Sequence, residues 1–308
     1  MRLSVCTAYN GRHEHLVNFI LGLRRSERPP SELVIAVQGL RLRDLPLASF
    51  PIRQVRLADE PHSVARARNA AAARSSGDML VFLDADCIAH PQLLDDYAAI
   101  ATQGGLLMGE VGFLPPGGTA HGIDHGQLEP QAVADPERPA APAEALEPCR
   151  DYRLFSALNF AIPARGFAAA GGFDQDYVGE GGEDIDFSRR AMSAGLSFAR
   201  ARGAKAYHQH HRQMVPPVDR IDAILANAEL FRARWNQPVM EGWLRGFELL
   251  GLAGRSADGW RKLREPDARD VEFASRQADR AVPSIAAMLD SLEKPATGGR
   301  TGSLRPAA

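Results

Sequence analysis

Residues 77 to 86 read Gly77-Asp78-Met79-Leu80-Val81-Phe82-Leu83-Asp84-Ala85-Asp86. Five consecutive apolar residues after a Gly-Asp turn are typical of a strand that is buried on both faces. The two carboxylates that follow would be costly to bury unless they were paired or bound a cation. We therefore expect Asp84 and Asp86 to lie where the strand leaves the sheet, at the carboxyl edge where α/β sheets bind ligands.

The pair Asp84 and Asp86 is a candidate site for a metal ion. On an extended segment, side chains at i and i+2 leave on the same side. Two hard oxygen ligands on one side suit a divalent ion that carries phosphate oxygens. The alternative is an acidic turn that simply follows a strand, because an isolated Asp-x-Asp is a weak motif.

Length and composition narrow the class of protein. The 308 residues are enough for one large α/β domain with an appendage, and the formal net charge of −2 offers no electrostatic case for a nucleic-acid partner. Three widely spaced cysteines favour a reducing compartment over a disulfide framework. No long apolar leader or segment of membrane-spanning length is visible, so we expect a cytoplasmic protein without a transmembrane segment. The arginine-rich C-terminal third leaves peripheral membrane contact open.

Strand-like and helix-like segments alternate through the first 113 residues, with short connections. Strands are predicted at Leu3–Thr7, Glu32–Val37, Ile52–Leu57, Met79–Leu83 and Leu106–Phe113, and helices at His15–Leu23, Ser63–Ala73 and Pro91–Ala101. This alternation predicts right-handed βαβ units, and therefore an α/β fold with a mainly parallel sheet flanked by helices. The absence of a Gly-x-Gly-x-x-Gly motif after the first strand and of a P-loop disfavours a dinucleotide or P-loop enzyme.

The rest of the chain divides into segments of different composition. Residues 115–148 contain seven prolines and are predicted to form a long surface loop, which we expect to fold over a bound donor and exclude water. This loop would be an insert within one α/β domain, residues 1–215. A helical extension is predicted at 216–262, around an amphipathic helix at Asp219–Trp235. Residues 263–308 are predicted to be a weakly structured tail.

A cluster of acids follows two glycines at the start of a predicted helix, in the motif Gly181-Gly182-Glu183-Asp184. The glycines permit backbone conformations and close approaches that a Cβ would forbid. Acids in the first turn favour the helix dipole, which is the simplest explanation for them. A carboxylate in this place is also well positioned to act as a general base on an acceptor hydroxyl.

Histidines follow the second of two strands predicted at Ser197–Ala201 and Ala204–His208. The chain there reads His208-Gln209-His210-His211, and one of these imidazoles could complete the coordination of a metal held by the Asp-x-Asp motif. On a continued strand, His208 and His210 would share a face and His211 would not. Solvated histidines in a turn are the alternative.

These motifs occur in an order that resembles glycosyltransferase family 2 with the GT-A, Rossmann-like fold, specifically its bacterial members with a galactosyltransferase-like C-terminal half. The resemblance covers the chain from Leu3 to Trp243, apart from the Pro-rich loop. It rests on Ser4-Val5-Cys6-Thr7-Ala8-Tyr9-Asn10, Ala65-Arg66-Ala67-Arg68-Asn69, Val81-Phe82-Leu83-Asp84-Ala85-Asp86, Gly171-Gly172-Phe173-Asp174 with Gly181-Gly182-Glu183-Asp184, and Ala206-Tyr207-His208-Gln209. The combination is far more specific than any single motif.

The resemblance implies a role for each matching residue. Asp86 and His208 would bind Mn²⁺ or Mg²⁺, with His210 as the second choice of histidine. Asp184 would be the catalytic base, with Glu183 beside it in contact with acceptor or donor sugar. The nucleotide or its sugar would be held by the remaining matching positions, which are Thr7, Tyr9, Asn10, Arg66, Asn69 and Asp84.

Gln38 marks a departure from the family pattern. In much of the family the second strand ends in an acid that contacts uracil, whereas here it ends in Val37-Gln38-Gly39. The amide of Gln38 can still hydrogen-bond a base, but its pattern of donor and acceptor differs from that of a carboxylate. The sequence therefore leaves the identity of the nucleotide open.

The function implied by the resemblance is metal-dependent, inverting transfer of a hexose from a nucleotide diphosphate sugar, with a UDP-sugar expected, to an acceptor hydroxyl. The acceptor, whether a glycan, a lipid-linked molecule or a small molecule, is left open. One alternative is a nucleotidyltransferase-like enzyme, whose basic Gly-rich loop is only faintly resembled by Ala8-Tyr9-Asn10-Gly11-Arg12. The other is an inactive sugar-nucleotide-binding relative, which the acids of the motifs disfavour.

Overall fold

A computed structural model describes residues 1–57, 63–257 and 259–294 of the protein. The strands are β1 (Leu3–Tyr9), β2 (Glu32–Gln38), β3 (Ile52–Leu57), β4 (Met79–Leu83), β5 (Cys87–Ala89), β6 (Leu106–Phe113), β7 (Leu146–Pro148), β8 (Asn159–Pro163), β9 (Phe198–His208), β10 (Ala253–Ser256) and β11 (Gly259–Lys262). The helices are α1 (His13–Arg24), α2 (Val64–Arg74), α3 (Leu93–Ile100), α4 (His125–Leu128), α5 (Ala164–Ala169), α6 (Glu183–Ser193), α7 (Ile221–Trp235), α8 (Glu241–Leu249), α9 (Ala268–Ala274) and α10 (Ile285–Glu293). Short 3₁₀ turns occur between several of these elements.

Strands β1 to β9 form one twisted sheet in the order β3-β2-β1-β4-β8-β6-β9-β5, with β7 also paired to β9. β1 is parallel to β2 and β4, β2 is parallel to β3, and β6 is parallel to β9. β8 lies between β4 and β6 and is antiparallel to both, so β1 to β4, β6 and β9 all run in one direction. The predicted α/β fold with a mainly parallel sheet is confirmed. The carboxyl ends of these strands share one edge.

The packing of β4 on both of its faces explains why its sequence is entirely apolar. Val81 and Leu83 pack into the layer that contains α1 and α3, whereas Leu80 and Phe82 pack into the layer that contains α2 and α6. Every residue of the strand is buried. Each such side chain contributes about 1.5–3 kcal/mol on burial, which fixes the strand in the centre of the sheet and leaves its next residue, Asp84, at the sheet edge.

β9 is one strand where the sequence predicted two. Its register against β6 shifts between Met108 and Glu110, so residues 201–204 bulge opposite Gly109. Gly203, with φ of +86°, sits in this bulge and donates its N–H to Glu110 Oε1 at 2.8 Å. The two predicted strands, Ser197–Ala201 and Ala204–His208, are therefore joined through this bulge into one.

The C-terminal part packs around α7, whose buried face contains Ile221, Ile224, Leu225 and Phe231, as the sequence predicted. A hairpin of β10 and β11 accompanies the helices of this extension. α9 and α10 lie within the segment predicted to be weakly structured, and its last residues, 295–308, fall outside the described residues. The division at 215 and 262 stays a prediction. No helix in the described ranges is long and apolar enough to cross a membrane.

Candidate active site

Asp86 and His208 are far apart in the chain but adjacent at the sheet edge. The backbone carbonyl of Asp84 accepts a hydrogen bond from the N–H of Cys87 at 2.8 Å, in a turn that leads from β4 into β5. β5 pairs antiparallel with β9 so that Cys87 lies opposite His208, and the N–H of Gln209 donates to the carbonyl of Asp86 at 2.8 Å. This backbone pairing brings His208 Nε2 to 3.6 Å from Asp86 Oδ1.

His211 is the third member of this cluster. Its Nε2 lies 3.5 Å from Asp86 Oδ2, and ligand atoms of Asp86, His208 and His211 all lie within 4.8 Å of one another. His210, the second choice from the sequence, has its Nε2 3.0 Å from the carbonyl oxygen of Ala278 instead. The sequence argument assumed that the strand continues, but β9 ends at His208 and the chain then turns.

Arg12 lies against the same cluster. Its Nη1 is 3.3 Å from Asp86 Oδ2, and its Nη2 is 3.3 Å from His211 Nδ1. Burial raises the pKa of Asp86, but His208, His211 and Arg12 outweigh burial and hold that pKa well below its ordinary value. One carboxylate and two imidazoles are ligands that a first-row divalent ion takes, so these residues fit Mn²⁺ chemically.

Arg68 joins two acids that the sequence places a hundred residues apart. Its Nη2 donates to Asp84 Oδ1 at 3.0 Å and its Nη1 donates to Glu183 Oε1 at 3.2 Å. The side chain is only 6% exposed, and its guanidinium lies 5.1 Å from the centre of the Phe173 ring. Burial lowers the pKa of Arg68, but Asp84 and Glu183 more than offset this. The ion pairs therefore fix both acids at the sheet edge.

The motif Ala65-Arg66-Ala67-Arg68-Asn69 on α2 contains Arg68, but the sequence analysis predicted Arg66 as the site residue. Arg68 shares the buried face of α2 with Ala65 and Ala71, at helical spacing. Arg66 is half-buried, and its backbone N–H donates to the N-cap hydroxyl of Ser63 at 3.3 Å. An arginine on the small-residue face of a helix needs buried acids as partners, and those acids come from β4 and α6.

Glu183 and Asp184 begin α6 and have raised pKa values. Burial, together with the charge of Asp184, raises the pKa of Glu183 to about 7 against the opposing effect of Arg68. Burial also raises the pKa of Asp184 and of Asp84, again opposed by Arg68. Acids with raised pKa values in a cleft are typical of general bases. Asp184 and Glu183, the predicted catalytic residues, therefore share one cluster with Asp84.

Side chains of α7 form hydrogen bonds with the N-terminal part of α6 and with the loop that precedes it. Asn227 Nδ2 donates to the carbonyls of Val178 and Glu180, both at 3.1 Å, and Trp235 Nε1 donates to Asp186 at 2.8 Å. Asp186 is fully buried and also binds the Nε of Arg190 at 2.7 Å, which makes it a structural acid rather than a catalytic one. The helical extension therefore positions the loop that carries the predicted base.

A cleft of about 130 Å³ opens over the ends of β1, β2 and β4. Predicted site residues that line it are Tyr9, Asn10, Gln38, Asp84 and Asp86. Arg12, which the sequence analysis did not single out, lines it as well. The metal-type cluster adjoins this cleft through Asp86, and the ion-paired acids adjoin it through Asp84.

The amide of Gln38 has a paired nitrogen and an unpaired oxygen within the described residues. Its Nε2 donates to the carbonyl of Ser63 at 3.0 Å, while its buried Oε1 has no hydrogen-bond partner in the described part of the chain. Thr7 Oγ1, on β1, is likewise buried without a partner among those residues. Such orphaned acceptors are costly unless a ligand pairs with them.

Asn69 has a structural partner. Its Nδ2 donates to the carbonyl of Phe173 at 2.7 Å and its Oδ1 accepts from the N–H of Phe173 at 2.8 Å. A Cβ at Gly172 would lie 2.7 Å from this oxygen, so the glycine permits the contact. Asn69 therefore fixes the Gly172-Phe173 turn, beneath Arg68. In the described ranges, the residues that line the cleft include neither Asn69 nor Arg66.

Comparison with known families matches this architecture in two segments. The family described as "Glycosyl transferase family 2" matches residues 7–110, which contain the cleft and the Asp-x-Asp motif. The family described as "N-terminal domain of galactosyltransferase" matches residues 137–212, which contain Asp184 and His208. The chain belongs to glycosyltransferase family 2. This confirms the resemblance drawn from the sequence motifs.

Individual relatives of this family 2 glycosyltransferase are distant. Validoxylamine A glucosyltransferase of Streptomyces hygroscopicus subsp. jinggangensis (strain 5008) is 27% identical over 207 residues, covering 58% of this chain and 46% of that protein. The chain thus spans less than half the length of this curated relative. S. aureus TarS 1-349 in complex with UDP has a TM-score of 0.50 at 13% identity, over 75% of this chain and 66% of that one. GalNAc-T7 with UDP, GalNAc and Mn²⁺ has a TM-score of 0.50 at 13% identity, over 68% and 43%. These two likenesses show the GT-A fold.

Proposed function

We propose that this glycosyltransferase moves a hexose from a UDP-sugar to an acceptor hydroxyl, with inversion and with a divalent metal ion. The convergence of Asp86, His208 and His211 at the end of the cleft is the observation that carries the proposal. The solved structure of GalNAc-T7, which shares the fold, contains UDP and Mn²⁺. The sequence predicted Asp86 and His208 as ligands, and His211 joins them here.

The cluster would hold Mn²⁺ through Asp86, His208 and His211, because Mg²⁺ prefers oxygen ligands to imidazole. The ion would stabilise negative charge on the leaving diphosphate. Arg12, which lies against Asp86 and His211, would then turn its guanidinium toward the diphosphate. Guanidinium groups bind phosphate oxygens through charge-assisted hydrogen bonds. Gly11, which precedes Arg12, has a φ of +90°, a backbone conformation that glycine adopts without a steric penalty.

Asp184 would accept the proton of the acceptor hydroxyl as that oxygen attacks the anomeric carbon. The new bond forms on the face opposite the diphosphate while the bond from carbon to diphosphate oxygen breaks, which inverts the anomeric centre. No covalent enzyme intermediate is needed. The raised pKa of Asp184, caused by burial, supports this role because it makes the carboxylate a stronger base. Arg68 would hold Asp84 and Glu183 toward the donor sugar.

Gln38 supports uracil as the base. Its Nε2 is occupied by Ser63, so the free Oε1 can accept a hydrogen bond and the side chain cannot donate one there. The N3–H of uracil is a donor, whereas N3 of cytosine is an acceptor. In this orientation Gln38 would accept a hydrogen bond from the N3–H of uracil, as a carboxylate would at the same strand end.

The decisive experiment is calorimetry with UDP and CDP, each with and without Mn²⁺. We expect UDP to bind in a Mn²⁺-dependent manner and CDP to bind at least about tenfold more weakly, the effect of one lost hydrogen bond to a buried acceptor. Equal binding of the two nucleotides would contradict the assignment of Gln38. Metal-independent binding of UDP would contradict the metal cluster. A subsequent screen of UDP-sugars for hydrolysis or transfer distinguishes an enzyme from an inactive binding protein. Release of pyrophosphate from UTP and a sugar 1-phosphate would instead identify a nucleotidyltransferase.

Arg12→Ala is expected to bind Mn²⁺ more tightly than the wild type in the absence of nucleotide. The guanidinium would no longer compete for Asp86 and His211, and an exposed ion pair of this kind corresponds to roughly a two- to fivefold change. The affinity for UDP with Mn²⁺ present should fall instead, because a positive charge is lost beside the diphosphate. Titration of Mn²⁺ by electron paramagnetic resonance checks the first effect, and calorimetry checks the second. Arg12→Lys is the control that keeps the charge, and weaker Mn²⁺ binding by Arg12→Ala would contradict the competition.

A further inference from the structure

A second cavity, of about 160 Å³, lies between β6, the start of β8 and the Pro-rich loop. Its floor includes Met108, Val111, Phe113 and Leu158, and its roof includes Pro139 and Pro142. The sequence analysis expected this loop to fold over the donor. In the structure its residues 134–142 cover this separate cavity instead of the nucleotide cleft.

The second cavity adjoins the candidate active site through direct contacts. The carbonyl of Leu158, in its floor, accepts a hydrogen bond from the N–H of Asp84 at 3.0 Å. The ring of Phe113 lies 5.1 Å from the ring of His208. The nucleotide cleft lies over β2, β1 and β4, whereas this cavity lies over β8, β6 and β9. The two spaces therefore flank the carboxylate end of β4 from opposite sides.

Two large polar side chains of the cavity, Asn159 and Arg200, are already paired within the protein. The Asn159 amide binds the Tyr97 hydroxyl and two backbone carbonyls, and Arg200 binds the carbonyls of Pro139 and Ala140 and the carboxylate of Glu147. These groups hold the floor and the roof in place and are not available to a ligand. What remains toward the cavity is mainly apolar surface, so an occupant would be held by apolar contact and shape.

Arg138 connects the roof to the proposed base. It lines the cavity, and its Nη1 donates to the carbonyl of Leu154. Its positive charge reaches Asp184, where it opposes the rise in pKa that burial causes. Leu154 belongs to the turn Tyr152–Leu154, and Ser188 Oγ of α6 donates to the carbonyl of Tyr152 at 2.8 Å, so the roof is connected to the helix that begins with Glu183 and Asp184.

We propose that this cavity is the acceptor subsite and that it takes an acceptor whose hydroxylated part reaches Asp184 while an apolar aryl group lies between Phe113 and the prolines of the roof. The proposal rests on the glycosyltransferase function proposed above, because it needs a donor in the neighbouring cleft. It assigns the Pro-rich loop to acceptor recognition. Acceptors with a bare sugar ring would leave the apolar walls unpaired and would bind weakly.

The test compares 4-nitrophenyl β-D-glucopyranoside with methyl β-D-glucopyranoside as probes that differ in the aryl group. Binding of each to the full chain is measured by saturation-transfer NMR and calorimetry, with UDP and Mn²⁺ present. We expect the aryl glucoside to bind wild type at least tenfold more tightly. Val111→Trp fills the cavity from the floor and Ala134→Trp from the roof, and both should remove that advantage while binding UDP and Mn²⁺ within twofold of wild type. Val271→Trp, on α9 and away from the cavity, is the matched control and should behave as wild type.

Two results would overturn the acceptor subsite. One is equal binding of the two glucosides by wild type. The other is unchanged preference for the aryl glucoside in both filled variants, which would place the aryl group elsewhere. Because binding of UDP with Mn²⁺ is measured in the same samples, failure of the donor function is seen separately. Aryl binding in the cavity without any binding of UDP would remove the acceptor role.

Discussion

Asp86→Ala should abolish Mn²⁺-dependent binding of UDP and lower kcat/KM for sugar transfer by roughly 10³-fold or more. Asp86 supplies the carboxylate of the cluster and contacts both His208 and His211. Without it, two imidazoles near Arg12 form a site that repels a cation. Calorimetry with UDP and Mn²⁺ measures the binding, and initial rates with the active UDP-sugar measure the transfer.

The histidines provide graded controls for this prediction. His208→Ala and His211→Ala should each weaken Mn²⁺ binding by at least about 10- to 100-fold, the range that even outer-shell partners of metal sites reach. His210→Ala is the matched control, because its ring binds the carbonyl of Ala278 and not the cluster. If His211→Ala behaved like His210→Ala, the third ligand would be misassigned. If Asp86→Ala kept its Mn²⁺-dependent binding of UDP, the whole metal site would be refuted.

The parts of this site that sequence analysis predicted are those fixed by local pattern. An apolar run that ends in Asp84 and Asp86 has to place these acids at the edge of the sheet, because burying both faces of β4 leaves no other place for a charge. His208 ends a strand and is brought to the same edge by its pairing with β5. Strand ends and helix starts are properties of a short window, so they can be predicted without the tertiary structure.

The missed residues depend on contacts between distant elements. His211 faces the cluster because the chain turns after His208, and that turn is fixed by Gln209, whose amide binds the carbonyl of His15 and the side chain of Asn18 on α1. The sequence pattern of β9 alone cannot predict these contacts with α1. Arg68 was missed for a related reason, since its burial is tolerable only beside carboxylates contributed by β4 and α6.

Asp184→Asn should lower kcat for transfer by roughly 10²–10⁴-fold, the contribution typical of a general base, while it leaves binding of UDP with Mn²⁺ unchanged. The amide keeps the size of the side chain, but it cannot accept the proton of the acceptor hydroxyl. Asp184 is also predicted to make the folded protein less stable at neutral pH, because burial raises the pKa of its carboxyl and so disfavours its charged form. The variant should therefore unfold at a higher temperature than wild type above pH 7, measured by calorimetry beside the rate assay.

Glu183→Gln is the matched comparison, because Glu183 shares the helix start and the burial but forms an ion pair with Arg68. Its pKa is raised from the ordinary value of 4.5 to about 7. The folded state therefore binds a proton that the unfolded state releases, and wild type loses stability as pH rises from about 4.5 to about 7. Glutamine mimics the protonated acid, so its advantage should be close to zero near pH 4.5 and grow to at most about 3 kcal/mol above pH 7.

The two variants together separate the base from its neighbour. Both should gain stability at high pH, because each removes a buried charge, but only Asp184→Asn should lose most of kcat. A larger loss of kcat in Glu183→Gln than in Asp184→Asn would transfer the role of base to Glu183. Loss of stability in both at pH 8 would mean that the pull of Arg68 exceeds the cost of burying the acids. The start of α6 would then stabilise the fold by ion pairing, and the case for a strained, proton-accepting carboxylate there would fail.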